Sequence, residues 1–286
     1  MTVATLDYET VSRYWSTAAS SILGPYMMDG FGFPASAGRF RFAAERRIVN
    51  RLIPPESSND CALDLGSGIG YWAEHFARRF SRVVAVEASR PLYDALEKRC
   101  SPHANVVLIH DDVMAFQPTD QYDLIFLGGL LMYLNNDDVI SLMKKLIPSL
   151  SPGGVILCRE TTVQQGTITR QGDYQAVYRS VSDYKSIFFE CDLSVLKLNV
   201  NTPYVLMQMG CELIKKWKAL LPRSLQCLPL VGRLTYWGLR LGYPWITRVP
   251  TTFGLAFPKL TNHFILLQPD AQTTVDSDVH NNDVEY

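Results

Sequence analysis

Residues 60–76 read DCALDLGSGIGYWAEHF. A short apolar run, residues 61–65, carries one carboxylate, Asp64. Three glycines follow at alternate positions (Gly66, Gly68 and Gly70), and a helix-like stretch opens at Tyr71. Bare glycine backbone turns tightly and lets a ligand approach the peptide units. The segment therefore predicts strand, turn and helix in immediate succession, the unit from which a parallel sheet is built. The same alternation continues downstream. RVVAVEA, NVVLIHD, YDLIFLGG and GGVILCRE read as short, continuously apolar strands, while RPLYDALEKRC and DDVISLMKKLIPSL read as helices between them. Such strands belong to a sheet covered on both faces, an α/β Rossmann-like fold. RFRFAAERRIVNRLI is expected as an amphipathic helix before it. YRSVSDYKSIFFEC reads as a later helix, LSVLKLNV as a strand, and NHFILLQP as the last strand.

The chain has 286 residues, 47% hydrophobic and 19% charged, enough for one sizeable core. Its formal net charge of −1 argues against a nucleic-acid partner. No apolar run reaches the roughly 20 residues needed to span a bilayer as a helix. The first residues, with early acids, do not read as a secretory signal. Six scattered cysteines (Cys61, Cys100, Cys158, Cys191, Cys211 and Cys227) form no CxxC pair and are expected as reduced thiols, in keeping with a cytoplasmic protein. No His/Cys/Asp cluster has metal-ligand spacing, so no metal is expected.

The glycine spacing, GxGxG, differs from the GxGxxG that seats a pyrophosphate on a helix N-terminus. Asp64 beside the loop would repel a pyrophosphate and favour a cation. S-adenosylmethionine carries an ammonium and a sulfonium and no phosphate, and it answers both features. Glu87 ends the next strand at the offset where an acid grips ribose hydroxyls. Asp112 follows the third strand, where it can accept from an adenine amino group. Gly128 follows the fourth, where the chain can pass close to the cofactor. The expected cofactor contacts are Asp64, Gly66, Gly68, Gly70, Glu87, Ala88, Asp112, Val113 and Gly128. All lie at carboxyl ends of adjacent strands, the binding edge of open α/β sheets.

LDLGSGIG, VVAVEAS, HDDVMAF, YDLIFLGGLLMYL and LSPGGVILCRE, in this order over roughly residues 40–200, make the chain similar to class I S-adenosylmethionine-dependent methyltransferases. The resemblance implies a seven-stranded sheet with an antiparallel last strand, and S-adenosylhomocysteine as product. It also implies an N-terminal segment that folds over the site. A narrower resemblance, to protein N-terminal α-amine methyltransferases, rests on Tyr14-Trp15 and the GFGF segment. There, Arg159-Glu160-Thr161 replaces that group's acid–amide pair and Tyr133 replaces its histidine. RETTVQQG and GDYQAVYRS look equally like small-molecule N-methyltransferases.

Methyl transfer needs an aligned nucleophile and, for some acceptors, a base. Glu160, Tyr133 and Tyr178 are the expected catalytic residues; Arg159, Arg170, Tyr174, Arg179 and Trp237 are expected to touch the acceptor. Against these roles stand a structural Arg159–Glu160 ion pair and tyrosines that merely fill the core. Residues 203–261 have their own character, with three tryptophans, eight basic residues and the single acid Glu212, a net of +7. Three uses are open: a lid over a hydrophobic acceptor, a surface peripheral to a membrane, or a subunit interface that would make a homo-oligomer. The expected organisation is a cap at 1–40, the cofactor-binding core at 41–202, the insertion at 203–261, a last core strand at 262–269, and a disordered acidic tail at 270–286. The expected reaction is methyl transfer to a small-molecule or lipid-like acceptor, with a prenyl or phosphate-bearing molecule among the candidates. A protein α-amine methyltransferase and a non-catalytic cofactor-binding scaffold are the alternatives; the glycine spacing and Asp64 disfavour a dinucleotide oxidoreductase.

Overall fold

The computed structural model describes residues 5–17, 32–53, 60–220, 229–255 and 257–270. Cys227, Arg223, the Gly30-Phe31 half of GFGF and the tail beyond Asp270 lie outside the described residues. The four leading strands are β1 (Cys61–Leu65), β2 (Arg82–Val86), β3 (Val106–Ile109) and β4 (Tyr122–Leu127). With β5 (Leu150–Val163) they run parallel in the spatial order β3-β2-β1-β4-β5. The order in which strands are added reverses at β1, whose neighbours are β2 on one side and β4 on the other. That reversal opens a crevice at the strands' carboxyl ends.

Alternate residues of each strand feed two cores. Leu63, Leu65, Ile125 and Leu127 face helices α5 (Asn136–Leu146) and α6 (Val181–Phe189). Ala62, Leu124 and Phe126 face α2 (Ala35–Leu52), α3 (Tyr71–Phe76) and α4 (Arg90–Cys100). Burial on both faces explains why the strands read as unbroken apolar runs.

The sheet has nine strands rather than seven. The expected seven are present, because β9 (Thr261–Pro269) pairs antiparallel with β5 and with β8 (Leu193–Val200). The two additional strands, β6 (Thr167–Arg170) and β7 (Ala176–Ser180), form a hairpin attached to the carboxyl end of β5 through Thr162 and Val163. The expected helix from Tyr178 begins later, at Val181. Tyr178–Ser180 are strand, and the Ser180 hydroxyl caps α6 by accepting from the Asp183 N–H at 3.1 Å.

The described residues between β8 and β9 are mainly helical. They form α7 (Thr202–Leu220), α8 (Pro229–Gly242) and the short α9 (Val249–Thr252). Val205, Leu206 and Met209 of α7 pack with Leu239 of α8. At the other end of the chain, α1 (Tyr8–Thr17) is tied to the core across the crevice. Asn135 Oδ1 accepts from the Leu6 N–H and Gln175 Oε1 from the Asp7 N–H, both at 2.9 Å, and the Ser89 hydroxyl donates to the Trp15 carbonyl at 2.9 Å. Five cysteines are buried free thiols: Cys61, Cys100, Cys158, Cys191 and Cys211. Among the described residues no helix is long and apolar enough to cross a membrane, and no three His, Cys, Asp or Glu side chains gather as a metal site.

Candidate active site

A cavity of about 1000 Å³ opens at the carboxyl ends of β1–β5, roofed by α1 and walled by α7. Its floor is the glycine loop. Gly66 and Gly68 hold φ of +73° and +56°, where a side chain is strained. The Gly66 and Ser67 N–H groups donate to the Val86 carbonyl at 3.0 and 2.9 Å, which ties the loop to the end of β2. The neighbouring Glu87 is buried. Its Oε2 accepts from the Gly68 N–H and its Oε1 from the Ser89 N–H, both at 2.8 Å. Each oxygen keeps further acceptor capacity.

Asp64 is fully buried beneath the loop, and its Oδ2 meets no donor among the described residues. Burial, and then the Glu87 charge, push its carboxyl up to about 7. Burial also raises Glu87. Two desolvated carboxylates, one with an orphan oxygen, form a site that a cation would stabilise. A Cβ on Gly68 would stand in open space, where a ligand can lie directly on the backbone. These features fit S-adenosylmethionine, with its ammonium and ribose hydroxyls. Ala88, Asp112, Val113 and Gly128 line the same cavity.

The expected cofactor set departs from the cavity at one position. Gly70 is not among the lining residues. It starts α3 at φ +83°, and a Cβ there would lie 2.7 Å from Leu96 Cδ1, so its glycine serves the turn and the packing on α4.

The acceptor candidates divide by strand alternation. On β5, Arg159 and Thr161 line the cavity and Glu160 does not. Glu160 points to the other face, fully buried, where its Oε1 accepts from the Leu130 and Leu131 N–H groups at 3.1 Å. Burial pushes it up to about 7, against the pull of the Leu131 amide and of Arg159 and Arg179. Expected as a base, it stands outside the cavity lining and anchors the loop after β4. On β7, Tyr178 lines the cavity and Arg179 does not. Arg179 is fully buried and donates to Asn136 Oδ1 and to the Leu131 and Leu134 carbonyls at 2.6–2.9 Å, a structural clamp rather than an acceptor contact. Trp237 sits on the outer face of α8, half exposed and away from the cavity lining.

Tyr133, Tyr174 and Arg170 line the cavity. The Tyr133 and Tyr174 hydroxyls are 2.9 Å apart. Tyr14, Trp15, Tyr133 and Tyr174 meet edge to face, with ring centroids 5.0–6.0 Å apart. Burial holds Tyr133 and Tyr174 well above the usual phenol range, so both stay neutral.

The cavity residues outside the expected site set include Tyr8 and Trp15 of α1, Arg41 of α2, and Tyr204 of α7. Arg41 is held by the fully buried Glu45, which accepts from its Nε at 2.8 Å and from Asn201 Nδ2 at 2.7 Å, and pairs with Arg159 at 3.4 Å. Burial raises Glu45, but the two arginines outweigh it and leave the carboxyl below its ordinary value. The Arg159 Nη2 also donates to the Gly128 carbonyl at 3.0 Å. One carboxylate thus serves two guanidinium groups that both line the cavity. The i, i+4 spacing of Arg41 and Glu45 was the available signal; its link to Arg159 depends on long-range folding.

A family model described as AdoMet dependent proline di-methyltransferase matches residues 4–206. The chain is 30% identical over 154 residues to phosphoethanolamine N-methyltransferase 3 of Arabidopsis thaliana, covering 52% of this chain and 31% of that protein. It is 26% identical over 200 residues to alpha N-terminal protein methyltransferase 1 of Drosophila melanogaster, covering 66% of this chain and 68% of that one. It spans about a third to a half of the length of the first curated relatives it matches. Among solved structures, a DhpI–SAH complex shares the fold with a TM-score of 0.55 at 16% identity, over 92% of this chain and 97% of that one.

Proposed function

The chain belongs to the AdoMet dependent proline di-methyltransferase family, and from that premise we propose that this S-adenosylmethionine-dependent methyltransferase acts on the nitrogen of a small-molecule amine bearing an anionic group. The observation that carries the proposal is the make-up of the cavity wall. Three tyrosines (Tyr133, Tyr174, Tyr178) face the cavity together with Arg41, Arg159, Arg170 and Lys215. The carboxylates that line it are Asp64, Glu87 and Asp112 at the carboxyl ends of β1–β3, and Asp138, which accepts from the Tyr8 hydroxyl. None is hydrogen-bonded to the tyrosine group among the described residues. A phenol or alcohol acceptor needs a base to remove its proton. A neutral amine brings its own lone pair and needs only orientation and exclusion of water.

S-adenosylmethionine, when bound, supplies an electrophilic methyl carbon on its sulfonium. Asp64 would face its cationic end, Glu87 its ribose, and Asp112, with Ala88 and Val113, its base; Gly66, Gly68 and Gly128 would leave room for close approach. The tyrosine hydroxyls would accept from the incoming amine and orient its lone pair. The arginines and Lys215 would hold the anionic group. Glu160 acts as a positioning residue through the loop at Leu130 and Leu131, and Arg179 through the carbonyls at Leu131 and Leu134.

Similarity to the Drosophila protein favours a second reading, in which the acceptor is the α-amine of a protein. The apolar character of α7, which lines the cavity with Met207 and Cys211, favours a lipid-like acceptor, prenyl or phosphate-bearing. Contact with a membrane, or with a second copy, would then fall to residues 203–261. Labelled methyl transfer to a panel of small anionic amines, peptides with a free α-amine, phenols and prenyl diphosphates separates these readings. The expected result is label on the nitrogen of a small anionic amine, with Arg170→Ala raising KM more than it lowers kcat. Label confined to peptides, phenols or prenyl diphosphates would overturn the proposal.

A further inference from the structure

The large apolar side chains left in solvent are concentrated between residues 217 and 255. On α8 the exposed set is Leu230, Leu234, Trp237 and Leu241, at intervals of four, three and four residues. That spacing places them in one stripe along a helix. The opposite side of α8 is occupied by the buried Tyr236 and Leu239, which pack on the rest of the chain. The stripe is therefore the outward face of a helix whose inward face is already satisfied. The exposure is large, reaching 88% at Leu241 and 65% at Leu234, and it continues past the helix at Trp245 (73%) and Phe253 (71%).

The charge of the same segment is one-sided. Between residues 203 and 261 the single acid is Glu212. Its Oε1 accepts from the Lys259 N–H at 2.8 Å. Arg233 projects from the exposed side of α8, and Arg248 lies in the exposed turn beyond it.

We propose that the outer face of α8, with the turn that follows it, docks the enzyme on an anionic lipid surface. Exposed leucine and tryptophan on one helix face, flanked by arginine and lacking acids, suit the boundary between headgroups and acyl chains. Anionic headgroups complement the positive charge. A second copy of the chain suits the face less well. A two-fold interface sets a patch against itself, so a face that carries Arg233 and Arg248 and no acid would oppose its own charge. The docking is independent of which acceptor the cavity takes. It has one consequence for the site: α7, which carries Tyr204, Gln208 and Lys215 into the cavity wall, is the helix against which α8 packs.

The test is flotation of the full chain with phosphatidylcholine vesicles, with and without phosphatidylserine. The expected result is binding to the anionic vesicles, weakened by salt, with about tenfold weaker partitioning for Leu234→Asp/Leu241→Asp and for Arg233→Glu/Arg248→Glu. S-adenosylhomocysteine binding and the melting temperature should be unchanged, since these side chains are exposed and do not line the cavity at the strands' carboxyl ends. Should the aspartate variant fold poorly, quenching of wild-type tryptophan emission by brominated acyl chains gives the same answer without it. Vesicle binding that is absent, or indifferent to both variants, would overturn the proposal. So would a stable dimer, with no vesicle binding, that Leu234→Asp/Leu241→Asp dissociates.

Discussion

Asp64 and Glu87 are two acids buried within one loop's reach, and their pH behaviour follows from that burial. Asp64 has a folded pKa of about 7 against an ordinary 3.8, and Glu160 about 7 against 4.5. A carboxyl raised on folding contributes stability that is complete below its unfolded pKa and is lost as pH climbs through the folded one. In the ligand-free protein each should therefore impose a fall in melting temperature between about pH 4 and pH 7, set against the opposite contribution of His75 and His263, which burial lowers to about 4. Asp64→Asn and Glu160→Gln should each flatten part of that fall in thermal melts. S-adenosylmethionine affinity should move the other way, strengthening as pH rises through 7 in the wild type and staying flat in Asp64→Asn, read by titration at several pH values. A pH profile of melting temperature that is the same in the wild type and in both variants would refute the assignment. At the buried pair, Glu45→Ala leaves Arg41 and Arg159 without their shared carboxylate. It should cost about 3–5 kcal/mol in denaturant unfolding. The cofactor-side acids were legible because each stands at the end of an apolar run, where a charge needs a reason. Glu160 and Arg179 were misread for one shared cause. Each neighbours a cavity residue along a strand, and period-two alternation lets only one of two neighbours face the cavity. Arg159 and Tyr178 face it, so their neighbours are turned away.

Among the elements, the glycine loop separates binding from folding. At Gly68 the space beyond the backbone is open, whereas at Gly70 a Cβ would crowd Leu96. Both glycines hold positive φ, so alanine at either carries a backbone cost of about 1 kcal/mol or more. Gly68→Ala should weaken S-adenosylhomocysteine binding beyond that stability loss, because its methyl enters the ligand's space. Gly70→Ala should lower the melting temperature further and leave the binding of the folded fraction intact. Equal binding defects in the two variants would contradict this division. The parallel strands and their helices were readable from unbroken apolar runs. The β6–β7 hairpin was not: TITR alternates exposed and half-buried positions at a sheet edge, and its register depends on β5 extending to Val163.

For the whole molecule, the cavity is closed by elements far apart in sequence, α1 before the core and α7 after it. No local pattern reports that meeting, which is why Tyr8, Arg41 and Tyr204 were found only in the fold. Deleting residues 1–17 removes Tyr14 and Trp15 from the tyrosine wall while sparing both sheet cores. Methyl transfer should fall roughly a hundredfold through lost alignment, with a much smaller change in unfolding free energy; a deletion that leaves turnover intact would show that α1 does not close the site. The central claim is that Asp64, Glu87 and the glycine loop hold S-adenosylmethionine, and calorimetric titration of the purified chain with S-adenosylhomocysteine tests it most directly, with NADH as comparator and Glu87→Ala as control. The account predicts micromolar binding of S-adenosylhomocysteine, none of NADH, and a substantial loss in a folded Glu87→Ala variant. Unchanged affinity in that variant, or no binding by a well-folded wild type, would contradict it.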